Sequence, residues 1–357
     1  MRTRHRSNDE PRPRRRRALR ILSIIVAVVV VLVGGGAIAF QVSPWPSVLV
    51  IRATGADGMS EGAAIEKYVP EGIDERLDLV YDDASPDGRI DVFSPADAEG
   101  PLPTIVWVHG GAFIAGIKEA LRPYLRIVAS HGFTVVNVEY TKAPEGTYPL
   151  PVQQLDAAVE FVTANADSLG VDPTQLVLAG DSAGAHIAAQ FALAATDPAY
   201  ADAAGIAVRT PGEDLRAAAL FSGPYDLDVD VSNETFGWFL RTVLWAYSGT
   251  KAFATDPHVA YASLVDHATA SFPPTLISTG PADPLRSQNE LFAERLSEAG
   301  APVTTLFFDP AASPEVGHEY QLELDTDEAR AGMKALVALV RENTDGPERH
   351  GVSDDWP

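Results

Sequence analysis

Gly180-Asp181-Ser182-Ala183-Gly184 sets one serine between two glycines, directly after the apolar run "QLVLA". A serine hydroxyl is a weak nucleophile until a neighbouring base takes its proton. It must also project into open space, which a tight, strained strand-to-helix turn provides. Side chains at positions 180 and 184 would obstruct such a turn, and Ala183 keeps the next residue small. The alanine-rich stretch "HIAAQFALAA" follows and reads as a helix. Its N-terminal N–H groups and partial positive charge would face negative charge developing nearby.

A nucleophile of this kind needs a base, an acid to orient the base, and donors for an oxyanion. Each has a candidate just beyond an apolar run. After "TIVWV" stands His109-Gly110-Gly111-Ala112-Phe113, a small-residue loop whose backbone N–H groups suit an oxyanion. After "TLIST" stands Gly280-Pro281-Ala282-Asp283-Pro284. After "TTLFF" and a loop stands Gly317-His318-Glu319-Tyr320. Singly, each motif has an ordinary reading as a turn, a cap or a surface residue. Together they give Ser182, Asp283 and His318 in chain order at three strand ends. Of eight histidines, His5 and His350 lie in the tails and His109 belongs to the glycine loop. His131 precedes a strand, His186 lies one helical turn after the serine, and His258 and His267 sit in an irregular segment. His318 is best placed as base. Asp181 and Asp309 are weaker acid candidates than Asp283, one beside the nucleophile and the other ahead of the histidine loop.

The elements that must position these residues alternate along the chain. "ERLDLVYD" and "GRIDVFSP" alternate apolar and polar residues, as half-buried antiparallel strands do. "TIVWVH", "FTVVNVEY", "QLVLAG", "AAALFSG", "TLISTG" and "TTLFFD" are continuous apolar runs, suited to strands covered on both faces. Helical patterns over 121–130, 151–166, 182–195, 289–299 and 326–341 separate most of them. This rhythm predicts an α/β fold: a mostly parallel sheet with helices on both faces and ligands at the C-terminal strand ends. Residues 226–270 break the rhythm with Trp238, Phe239, Leu240, Trp245 and Tyr247, and read as an insertion capping the sheet. We expect the hydrolytic domain over 71–342, a linker or lead-in over 41–70 in which "SEGAAIEKYV" forms a short helix, and a polar tail over 343–357.

The chain of 357 residues carries a net charge of −22. Residues 1–20 hold nine Arg against Asp9 and Glu10, a balance of +7, so the remainder carries −29. That acidic bulk repels nucleic acid, and the basic block precedes "ILSIIVAVVVVLVGGGAIAF", 21–40, twenty residues without a charge. Such a length spans the roughly 30 Å of a bilayer core as a helix. The arginines before it would stay in the cytoplasm, leaving the bulk of the chain outside. Ala37-Ile38-Ala39 gives a second reading, a cleaved signal peptide with secretion. Cysteine is absent, which excludes thiol chemistry and disulfides. "HEYQL" lacks the second histidine of a zinc motif and no phosphate loop occurs, so no metal or cofactor is expected.

The stretches "HGGAF", "YTKAPEGTYPLPVQQLDAAVEFV", "GDSAGAHIA", "PPTLISTGPADPLR" and "GHEY" together resemble the α/β-hydrolase fold, and within it the hormone-sensitive-lipase-like esterases. The resemblance covers roughly residues 75–341. It implies Ser182 as nucleophile, Asp283 as orienter and His318 as base. It also implies an oxyanion hole from the N–H groups of Gly111, Ala112 and Ala183, with Gly110 shaping the loop. The sequence departs from the family at Ala112, usually a third glycine, at "YTKAPE", usually "YRLAPE", and at Ser287 after "DPLR". It departs again at Glu319-Tyr320, usually Gly-Phe. The activity implied is hydrolysis of carboxylic esters, small-molecule or lipid, through an acyl-enzyme. An amidase, peptidase or acyltransferase would use the same residues, while a non-catalytic binding domain would need none of them.

Overall fold

The structure, a computed structural model, describes residues 12–54, 59–227 and 236–345. Its centre is an eight-stranded sheet: β1 Ile73–Val80, β2 Arg89–Pro95, β3 Leu102–Val108, β4 Thr134–Val138, β5 Val171–Asp181, β6 Leu215–Phe221, β7 Thr275–Thr279 and β8 Val303–Phe307. The spatial order is β1-β2-β4-β3-β5-β6-β7-β8. β2 pairs antiparallel with both β1 and β4, and the other pairings are parallel. The helices are α1 Arg12–Val42, α2 Trp45–Arg52, α3 Met59–Ile65, α4 Lys118–Ser130, α5 Leu150–Ala164, α6 Ala166–Leu169, α7 Ala183–Thr196, α8 Pro198–Ala204, α9 Phe236–Ser248, α10 Arg286–Ala299 and α11 Asp327–Asn343.

The two-residue period of a strand sends neighbours to opposite faces, and two cores result. On β3, Val106 and Val108 join α5, α7 and α10 on one face, while Ile105 and Trp107 join α4 and α11 on the other. β5 divides the same way, with Leu176 and Leu178 against Val177 and Ala179. This double coverage explains the unbroken apolar runs.

Three strands depart from their sequence reading. β1 alternates like a half-buried strand, yet most of its residues are exposed. β2 alternates like a half-buried strand, yet its residues from Ile90 onward are buried. Its polar Asp91 faces α4 and is neutralised there, 2.7 Å from Lys118 Nζ and 2.9 Å from Arg122 Nε. A buried carboxylate survives because it is paired on both oxygens. β8 is apolar enough for a central strand, but it forms the sheet edge and Thr304 and Thr305 are exposed.

Residues 41–70 hold more structure than a linker. α2 buries Val48, and Arg52 ties the helix down, bonding Ile114 O at 2.6 Å, Ala143 O at 3.0 Å and both Glu145 carboxylate oxygens at 2.7 Å. The short helix expected in "SEGAAIEKYV" is α3 followed by a tight turn, Glu66–Tyr68. Arg20–Val42 within α1 is apolar and long enough to cross a membrane, and Ile21, Val31 and Leu32 among others are exposed along it. Of the segment expected to cap the sheet, 228–235 lie outside the described residues. α9 and short turns through His267 form the rest. Most of the basic N-terminal stretch and most of the polar C-terminal tail also lie outside the described residues.

Candidate active site

Ser182 sits between β5 and α7 with φ 49° and ψ −120°, a backbone conformation few non-glycine residues adopt. Its N–H bonds Phe221 O at 2.8 Å, and Ser182 O accepts from His186 N–H at 3.3 Å, fixing the bend at both ends. The flanking glycines are required by packing. A Cβ on Gly180 would lie 2.6 Å from Gly184 C, and one on Gly184 would lie 2.6 Å from His109 O and closer still to Val108 O.

The residues expected to act together meet here. His318 Nε2 is 2.9 Å from Ser182 Oγ, and His318 Nδ1 is 3.0 Å from Asp283 Oδ1. Asp283 also accepts from Thr279 Oγ1 and Leu285 N–H, each at 2.8 Å, and from Ser222. Burial pushes the Asp283 carboxyl up, but these hydrogen bonds and the His318 charge hold it below its ordinary value. Burial likewise works against a charged His318. The Asp283 hydrogen bond and the charges of Glu319 and Asp283 outweigh it, and the imidazole is raised above its ordinary value. A serine, an imidazole and a carboxylate in this line can pass the hydroxyl proton to the ring and stabilise the imidazolium that results.

Gly110, Gly111 and Ala112 turn beside them. Gly111, Ala112 and Phe113 have φ of 113°, 52° and 61°, three successive positive values. Position 112 therefore takes a conformation natural to glycine while carrying a methyl group. Gly111 has no room for one, since a Cβ would lie 2.5 Å from Ala115 C. Ala183 opens α7, where the helix N-terminus adds its partial positive charge.

His109, Gly110, Gly111, Ala112, Ser182, Ala183 and His318 line one cavity of about 760 Å³. Its apolar wall comes from far along the chain: Ile51 of α2, Ile65 of α3, Leu121 of α4, and Phe239, Leu240, Val243 and Leu244 of α9. The lead-in carried no motif for this role, while α9 falls in the segment expected to cap the sheet, with Phe239 and Leu240 among its apolar residues. The lead-in's signal was only apolar side chains on segments too short to be cores of their own.

The remaining candidates do not join this line. His186 is fully buried, with Nε2 2.8 Å from Ala262 O, and burial depresses it to about 4. Asp309 bonds Ala311 N–H within its own turn. Asp181 is buried beneath the glycine loop, taking Trp107 Nε1–H and Gly110 N–H at 2.7 Å each. Sequence reading weighed Asp181 only as a weaker acid candidate and Glu319 only as a departure from the family, and the structure sets both against Gly110.

Residues 105–319 match the alpha/beta hydrolase fold family, more than half of the chain. A probable isoprenylcysteine alpha-carbonyl methylesterase of Oryza sativa is 30% identical over 244 residues, covering 67% of this chain and 58% of that protein. The chain thus spans little more than half the length of that relative. Carboxylesterase NlhH of Mycobacterium tuberculosis is 29% identical over 265 residues, 71% of this chain and 81% of that one. Esterase B of Lactobacillus rhamnosis shares the fold with a TM-score of 0.72 at 20% identity, covering 85% of this chain and 97% of that one. On the family match and the strand order that carries the site, the chain belongs to the alpha/beta hydrolase fold family.

Proposed function

We propose that this chain hydrolyses carboxylic esters, with Ser182 as nucleophile, His318 as general base and acid, and Asp283 as the orienting carboxylate. The observation that carries the reading is the unbroken line from Ser182 Oγ through His318 to Asp283 at 2.9 and 3.0 Å. Ser182 Oγ attacks the ester carbonyl while His318 Nε2 takes its proton. The carbonyl oxygen becomes an oxyanion facing the N–H groups of Gly111, Ala112 and Ala183. The C–O bond to the alcohol breaks, His318 returns the proton to the leaving oxygen, and an acyl-Ser182 remains. Water, deprotonated by the same imidazole, attacks the acyl carbon; the bond to Ser182 Oγ breaks, His318 returns the proton to that oxygen, and the acid leaves. The carboxylesterase and methylesterase names of the relatives support an ester over an amide. The apolar cavity wall favours acyl chains or alcohols that are themselves apolar.

In the same reading, α1 tethers the domain on the outer face of a cytoplasmic membrane, arginines inward. Its apolar length supports this, and a cleaved signal would give the same side. A panel of p-nitrophenyl esters of increasing acyl length, given to the full chain in detergent, tests the reaction. Turnover that disappears in Ser182→Ala is expected, and the absence of turnover on every ester sinks the reading. Protease added to spheroplasts should cut the domain, and protection of it would reverse the orientation.

A further inference from the structure

Two carboxyl groups close on Gly110, the first glycine of the oxyanion loop. A Cβ there would lie 2.5 Å from Asp181 Oδ2 and nearer still to Glu319 Oε1. Both carboxyls thus crowd the same side of Gly110, within hydrogen-bonding reach of each other. Ionised oxygens only accept, so a bond between them needs one group to carry a proton. Asp181 is 3% exposed, and its burial outweighs the N–H bonds from Trp107 and Gly110, which favour its charge, while the Glu319 side chain is about a third exposed. The proton therefore belongs on the buried partner. Glu319 Oε1 also stands 3.9 Å from His318 Nε2, and its backbone takes φ 54°, a left-handed strain that aims the carboxyl under the loop.

Resting on the esterase reading, we propose that Glu319 is a positioning residue. By sharing one proton with Asp181, it clamps the Gly110 turn to the serine elbow, and it releases the turn when the pair ionises. The other groups facing the pair are His109, Tyr124, Tyr140 and His318. Burial and the Glu319 charge push Asp181 up to about 8, and as pH rises through that value the shared proton leaves. Two negative charges then sit under one peptide N–H, the hydrogen bond between them is lost, and they repel. Because the loop's donors act on the transition state, the loss falls on kcat more than on KM.

The test is a pH profile of kcat and KM for wild type, Glu319→Gln and Glu319→Ala, with Ser182→Ala as the blank for spontaneous hydrolysis. In wild type, kcat should fall about tenfold or more between about pH 7 and pH 10, with KM little changed, the scale expected for a weakened oxyanion donor. Glu319→Gln donates to an ionised Asp181 without a shared proton, so its fall over that range should vanish. Glu319→Ala should lower kcat across the range. Retention of the wild-type alkaline fall in Glu319→Gln overturns the proposal. Infrared titration decides the pair independently of turnover. A protonated-carboxyl band should disappear as pH rises through about 8 and be missing in both Glu319→Gln and Asp181→Asn, and its absence from folded wild type overturns the proposal. That readout separates failure of the pair from failure of the esterase reading, which would leave the band in place with no ester turned over.

Discussion

Gly184→Ala adds one methyl group where α7 passes closest to the end of β3. The new Cβ would lie 2.5 Å from Val108 C and 2.6 Å from His109 O, against ordinary contacts that begin at 3.4 Å. Val108 O would lie nearer still, so the helix start or the strand end must give by more than about 0.9 Å, and neither is a flexible side chain. Both carry the candidate site: Ser182 caps the start of α7, and Val108 leads into the Gly110–Ala112 loop. Overpacking of this kind costs about 1–3 kcal/mol. At roughly 2–4 °C per kcal/mol for a domain of this size, the melting temperature should fall by about 2–12 °C. Displacing the serine against its oxyanion donors by nearly 1 Å should lower kcat by about 10²-fold. The assay pairs a thermal melt with ester kinetics on folded protein at a temperature well below the melt. Gly100→Ala is the control, since a Cβ there meets no atom within 4 Å and should change neither. A Gly184→Ala chain with wild-type melting and kcat would refute the argument that close packing sets the elbow.

Asp283→Asn should leave the fold intact and lower kcat by about 10⁴-fold, because the amide favours the wrong imidazole tautomer; circular dichroism and ester kinetics check both halves. The acid limb of kcat/KM should lie above about pH 6.5, the ordinary histidine value, because His318 is raised. Activity is lost as pH falls through that raised value, since a protonated imidazole cannot accept the serine proton. A kcat/KM profile flat down to about pH 5 would remove His318 as base.

Continuous apolar runs marked β3 to β7 because they report double coverage directly, and apolar-polar alternation marked β1 and β2; β8 was marked by the same kind of run although it lies at the exposed sheet edge. The elbow and its partners were legible by conjunction: a serine between glycines, an acid and a histidine each follow an apolar run, and ligands bind at such strand ends. What escaped was set by pairing across the fold. Asp91 reads as the solvent face of an alternating strand until Lys118 and Arg122 reach it from α4. Arg52, in a stretch that reads as linker, holds α2 against the loop at Ile114 and the carboxylate of Glu145, 93 residues away in sequence. Glu319 differs from the family's usual glycine, yet only the fold shows that its carboxyl meets Asp181, 138 positions earlier in the chain.

The central claim is that Ser182 is a hydroxyl activated by His318. The most direct measurement is labelling by a fluorophosphonate followed by peptide mass spectrometry. The account predicts a single adduct on Ser182, none in Ser182→Ala, and labelling slowed by about 10³-fold or more in His318→Ala, since the triad acts as a unit. Labelling that persists in Ser182→Ala, or that proceeds at the wild-type rate in His318→Ala, would contradict it.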